Sequence, residues 1–138
     1  MSRFQGVYTI MPTPFSDDGK LDLKSLETLT DFLVKLGVDG LVVLGVMGEA
    51  PKLSQSEQDD VIRTTVRVAG KLPVFAGSGA EGTDLAIEKS INALALGAAG
   101  LLVAPPPVQN DAVIFEYYCR IGERIDSPII LHDYPVAT

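Results

Sequence analysis

A six-residue phrase that occurs twice constrains this chain more than any other feature. Leu36-Gly37-Val38-Asp39-Gly40-Leu41 returns as Leu96-Gly97-Ala98-Ala99-Gly100-Leu101, a displacement of 60 residues from Gly37 to Gly97. Each copy follows a helical stripe, Leu26, Leu29, Leu33 and Leu36 in the first case and Ile87, Ile91 and Leu94 in the second. Apolar residues three and four apart share one face of a helix. The first glycine of each phrase is placed to stop the helix, and the second opens an apolar run. Such runs occur at residues 6–13, 40–44, 72–76, 101–104 and 129–131. The remaining gaps carry the helical patterns Val61, Thr65, Val68 and Ile114, Tyr118, Ile121, Ile125.

The 60-residue displacement therefore spans two strand-helix units of about thirty residues, enough for a right-handed crossover between parallel strands. The runs are almost continuously apolar, as strands covered on both faces must be. This predicts a parallel α/β fold in one domain over residues 1–138. An open doubly wound sheet usually closes with a helix, whereas this sequence stops just past a fifth strand. A complete (β/α)₈ TIM barrel takes about 250 residues. The expectation is the first four and a half units of such a barrel.

Composition narrows the class of function. Hydrophobic residues make up 46% of the chain, and the formal net charge is −7 without clustered Lys or Arg. That balance argues against nucleic-acid and anionic-membrane partners and suits an enzyme of small molecules. One cysteine, Cys119, and one histidine, His132, leave no disulfide and no zinc spacing. No leader and no apolar stretch near eighteen residues is seen, which predicts a cytoplasmic protein in a reducing compartment.

Function is sought where strands end. Gly45-Val46-Met47-Gly48-Glu49 directly follows an apolar run, and two glycines three apart let backbone N–H groups approach a small anion. Ser54 to Glu57 has capping-box spacing, so a helix is expected next. Gly77-Ser78-Gly79-Ala80-Glu81-Gly82 spells a dinucleotide fingerprint, but it follows the third strand and lacks the later acidic partner. Its glycines are better read as shaping a strand end. Glu49 suits either a general base or, more simply, a carboxylate that accepts nearby N–H groups. His132 and Cys119 read as core residues. Tyr134 falls at the carboxyl end of the fifth strand, where spacing alone leaves proton transfer and ordinary packing both open.

Several of these segments together, in order, resemble the dihydrodipicolinate synthase / N-acetylneuraminate lyase family of (β/α)₈ aldolases. They are Thr13-Pro14-Phe15, the phrase from Leu36 to Leu41, Gly45-x-x-Gly48-Glu49 with Leu53-Ser54-x-x-Glu57, Val74-Phe75-Ala76-Gly77-x-Gly79-Ala80, Gly97-Ala98-Ala99-Gly100 with Pro105, and Tyr134. The resemblance implies a lyase that joins an α-keto acid, typically pyruvate, to a lysine as a Schiff base. The adduct then supports aldol cleavage, condensation or dehydration with an aldehyde or sugar acid. A protonated imine is an electron sink that needs no metal and no cofactor. By the same resemblance Gly45, Val46, Met47 and Gly48 hold the keto acid's carboxylate, Tyr134 transfers protons, and the complete chain forms a homo-oligomer.

The family's lysine lies on the strand after Tyr134. Lys20, Lys24, Lys35, Lys52, Lys71 and Lys89 all fall in turns or helices, so the 138 residues are expected to lack the nucleophile and to be inactive alone. Synthases of the family usually carry hydroxyls where Val46, Met47 and Pro107 stand. Their absence, with Tyr134-Pro135 in place of the common Tyr-Asn, points to a different aldolase or dehydratase. Two alternatives stay open, a non-catalytic organic-acid-binding member or regulator and a phosphate-binding barrel of another type.

Overall fold

A computed structural model describes residues 4–108 and 110–133. Strand and helix alternate throughout: β1 (Tyr8–Ile10), α1 (Leu23–Leu36), β2 (Gly40–Val43), α2 (Gln55–Ala69), β3 (Val74–Gly77), α3 (Thr83–Ala95), β4 (Gly100–Val103), α4 (Asp111–Arg124) and β5 (Ile129–Leu131). The strands pair in parallel in the order of the chain, with β1 and β5 at the two edges. They curl into half of a TIM barrel, as the alternation predicts.

Period two along the strands sorts the core into two layers. Leu41, Val43, Val74, Ala76, Leu101 and Val103 face the helices and pack with Leu26, Val61, Ala86 and Ile121. The intervening Val42, Phe75 and Leu102 face the barrel interior, where Phe4 and Tyr8 join them. Both faces of β2 and β4 are buried, which is why their sequences do not alternate in polarity.

The repeated phrase has a definite physical meaning. Gly37 and Gly97 have φ of 85° and 102°, a left-handed backbone that ends α1 and follows α3 at little steric cost. Gly40 lies in register with Tyr8, and a Cβ there would sit 2.1 Å from the tyrosine ring. Gly100 is likewise in register with Phe75, whose ring a Cβ would meet at 2.3 Å. The second glycine of each copy is thus the floor on which an aromatic ring of the preceding strand lies. Edge-to-face contacts among Phe4, Tyr8 and Phe75 extend this layer.

Helix ends follow the predicted chemistry. Asp22 caps α1 by accepting the Ser25 N–H at 3.0 Å. Ser54 and Glu57 form the reciprocal capping box of α2. Two expectations need correction. The first strand is only Tyr8–Ile10, followed by one more ladder bond from Met11 N–H to Val42 O, beyond which Thr13 turns its hydroxyl to Gly48 O in the loop after β2. Leu36 is exposed rather than part of the buried stripe. At roughly 100° per residue it lies about 80° from Leu26, whereas Thr30, about 40° to the other side, is buried with Leu26 and Leu33. Ile91 is turned away from Ser90 on α3 in the same manner. Among the described residues, no helix is long and apolar enough to cross a membrane.

Candidate functional site

The carboxyl ends of the strands enclose a cavity of about 570 Å³, whose lining includes Gly45, Val46, Gly79, Ala104, Pro106 and His132. This is the end of a barrel at which loop residues converge. Val46–Gly48 forms a single 3₁₀ turn directly after β2. Its Gly48 N–H donates to Gly45 O at 2.9 Å, and the Glu49 N–H donates to Val46 O at 3.1 Å. The first two N–H groups of such a turn, those of Val46 and Met47, have no acceptor of their own within it. Neither has a backbone acceptor among the described residues. The side chains of Val46 and Met47 are 52% and 59% exposed.

The turn is held from both sides. Thr13 is buried, and its hydroxyl donates to Gly48 O at 2.6 Å, tying the loop after β1 to the loop after β2. Sequence reading took Thr13 only as part of a motif; its latch role needs the tertiary contact. Leu44 and Glu49 bracket the turn with φ of 58° and 54°, left-handed values that cost side-chain-bearing residues of order 1 kcal/mol or more each. Contacts elsewhere must hold that geometry. Gly77 provides one, since a Cβ on it would lie 2.0 Å from Leu44 O. A Cβ on Gly79 would lie 2.9 Å from Ala104 O, a milder close approach. The fingerprint-like glycines therefore shape the strand ends, as the sequence reading prefers.

Two tyrosines of α4 fix the neighbouring loops. The Tyr117 hydroxyl donates to Ala80 O at 3.1 Å and accepts the Ala80 N–H at 3.3 Å. The Tyr118 hydroxyl donates to Val103 O at 3.0 Å, a carbonyl that also accepts the His132 N–H. Burial pushes the Tyr118 phenol up to about 12, with the nearby Tyr117 and Asp133 acting in the same direction. Both hydroxyls stay protonated as donors near neutral pH.

Of the residues singled out from the sequence, Gly45 and Val46 line the cavity, Gly48 is buried beneath the turn, and Met47 lies on its exposed side. Tyr134 lies outside the described residues. Among the described residues Glu49 accepts no backbone N–H; its carboxylate meets the Lys52 ammonium at 2.6 Å, three residues on. His132 is half-buried in the cavity wall just beyond β5, not a core residue, since the strand ends one position earlier. Cys119 is half-buried on α4.

Comparison with known proteins bears on this site. The model of the dihydrodipicolinate synthetase family matches residues 3–138. A 4-hydroxy-tetrahydrodipicolinate synthase of Thiobacillus denitrificans is 41% identical over all of this chain and 48% of its own length. An L-2-keto-3-deoxyarabonate dehydratase of Azospirillum brasilense is 34% identical over 98% of the chain and 46% of the relative. Among solved structures, a chloride-inhibited dihydrodipicolinate synthase of Acinetobacter baumannii in complex with pyruvate superposes with a TM-score of 0.94 at 36% identity, covering 98% of this chain and 47% of that one. The chain thus spans about half the length of the relatives it matches.

Proposed function

This chain belongs to the dihydrodipicolinate synthetase family, and we propose that the protein it forms is a lyase of a pyruvate-type α-keto acid, working through a lysine Schiff base in aldol cleavage, condensation or dehydration. The observation that carries this reading is the pair of backbone N–H groups of Val46 and Met47 at the end of β2, which have no backbone acceptor among the described residues. Two adjacent N–H donors suit the carboxylate of a keto acid. Gly45 and Gly48 keep side chains clear of that approach, and the Thr13 latch fixes its aim.

Tyr134 is assigned to proton transfer with the keto acid adduct. The imine-forming lysine is assigned to the strand that follows Tyr134 in a complete barrel. In support, Lys24 and Lys89 stand on helices, and no described lysine ends a strand. The 138 residues alone are then inactive, and the complete protein is a cytoplasmic homo-oligomer. Val46, Met47 and Pro107 offer no hydroxyl for a proton relay, which favours a sugar-acid or hydroxy-keto-acid aldolase or dehydratase over dihydrodipicolinate synthase itself.

The test is intact mass after borohydride reduction with pyruvate, on these 138 residues and on a chain extended through the next strand. The mass of a reduced pyruvate adduct on a lysine of that next strand is the expected result. Its absence from the longer chain would leave an organic-acid-binding regulator as the better reading. In the complete protein, Tyr134→Phe should lower turnover by about 10²–10⁴ if the phenol moves a proton. Unchanged turnover returns Tyr134 to a packing role.

A further inference from the structure

The interior face of β5 leads to an imidazole. Val42, Phe75 and Leu102 point into the half-barrel, and Ile130 is in register with Leu102 on β5. Side chains two residues apart along a strand share a face, so His132, two beyond Ile130, stands on that same face one layer nearer the carboxyl ends. A last rung of the ladder fixes its place, since the His132 N–H donates to Val103 O at 2.9 Å. The Tyr118 hydroxyl donates to the same carbonyl from α4 at 3.0 Å.

β3 and β4 lie between His132 and the turn at Val46–Gly48. At the level of His132 they contribute Gly77, Gly79 and Ala104 to the cavity lining, so the imidazole and the Val46 turn border one space across small residues. The cavity's other titratable side chains are placed differently. Glu49 is engaged by Lys52 at 2.6 Å, and Glu81 is exposed on the loop after β3. Lys89 reaches in from α3, where its Nζ donates to Gln58 Oε1 at 2.9 Å. Among the described residues, His132 is the one proton carrier on the interior face of a strand's carboxyl end.

We propose that His132 is a further catalytic residue, the base that takes a proton from the carbon beside the former carbonyl of a keto acid held as its imine in the strand-end cavity. The inference rests on the proposed function for that imine, and it leaves to Tyr134 the transfers that accompany imine formation. A keto acid whose carboxylate sits on the N–H groups of Val46 and Met47 turns its far carbon away from β2, toward the side where β5 ends. In pyruvate that carbon is the methyl group. A neutral imidazole nitrogen accepts one of its protons, the C–H electron pair becomes a C=C bond, and the C=N pair moves onto the imine nitrogen. The products are an enamine and an imidazolium, and the reverse transfer restores both partners without a further reagent. Histidine suits this exchange because its ring accepts and returns a proton near neutral pH.

The test follows exchange of the pyruvate methyl protons in heavy water by proton magnetic resonance on the complete protein, beside borohydride trapping of the imine. Exchange per trapped adduct should fall by about 10²–10⁴ in His132→Asn and hold in Tyr134→Phe. Free imidazole should restore part of the exchange to His132→Ala, a readout that a packing role would not give. Exchange per adduct that is unchanged in His132→Asn, or lost only in Tyr134→Phe, overturns the proposal and leaves the proposed function standing. Loss of exchange and adduct together in both His132 variants, with no return on adding imidazole, marks a structural role and overturns it as well. A wild-type protein that traps no pyruvate overturns the imine reading, and this proposal with it.

Discussion

Gly77→Ala should be among the most damaging small substitutions in this chain. A Cβ at that position would stand 2.0 Å from Leu44 O, 2.6 Å from Leu44 C and 3.3 Å from Gly45 N. Real Cβ contacts essentially never fall below 3.0 Å, so the end of β3 and the residue after β2 must separate by at least 1.0 Å. The obstacle is backbone, and no rotamer change relieves it. Leu44 is already in the left-handed region, so it has little freedom to rotate its carbonyl away. The separation strains the parallel ladder at Val43–Ala76 on one side and the Ser78 N–H bond to Leu102 O on the other. Overpacking of about 1–3 kcal/mol, with about 1 kcal/mol for each ladder bond lost, gives a destabilisation of about 3 kcal/mol. Urea unfolding followed by far-ultraviolet circular dichroism should show the midpoint lowered by at least about 1 M, given slopes of roughly 1–3 kcal/mol per M. Gly45→Ala is the control, since its Cβ would meet Ile10 at 3.4 Å and Leu102 at 3.6 Å, ordinary contacts with side chains. A loss under about 1 kcal/mol for Gly77→Ala, or equal losses for the two variants, would refute the close-approach argument.

Other perturbations probe separate parts of the molecule. Thr65 is fully buried on α2, and its hydroxyl has no partner among the described residues, so Thr65→Val should raise stability by up to about 1–3 kcal/mol in the same titration. Gly122 lies within α4 with open space around its Cα, and Gly122→Ala should stabilise by about 0.5–1 kcal/mol. Thr13→Val strands the buried Gly48 carbonyl; a loss of about 1–3 kcal/mol is expected, with weaker pyruvate binding by calorimetry in the complete protein. The Ser54 N–H and hydroxyl hold the Glu57 carboxyl below its ordinary value of 4.5. A depressed carboxyl stabilises the fold fully above its unfolded pKa and loses that contribution as pH falls through the folded one. Glu57→Gln should therefore flatten the fall in melting temperature below about pH 4.5 and leave the slope at neutral pH unchanged.

Periodicity carried the fold and the caps because both are local. Leu26 and Leu33, Ser54 and Glu57, and the glycines at 37 and 97 act over one or two helical turns, and their spacing is visible in the chain. The near-continuous apolar runs announced parallel strands for the same reason, since burial on both faces is recorded residue by residue. The loop at Gly45–Gly48 was also legible as a tight turn at a strand end, because two glycines three apart after an apolar run suffice to suggest it.

Tertiary structure alone decided what holds that loop and what surrounds it. Thr13 meets Gly48 across 35 residues, Tyr117 meets Ala80 across 37, and Gly77 lies against Leu44 through the pairing of β2 with β3. No local spacing encodes such meetings, because they depend on strand register and on how the sheet curls. His132 differs from its expected surroundings for this reason, whereas Glu49 differs through a contact only three residues along the chain. The Glu49 carboxylate meets Lys52, and His132 falls just beyond the last ladder pair of β5, in the cavity wall. Lys89 shows the same division: its helix is written in the sequence, whereas its neutral partner and its cavity exist only when α2, α3 and the strand ends are assembled.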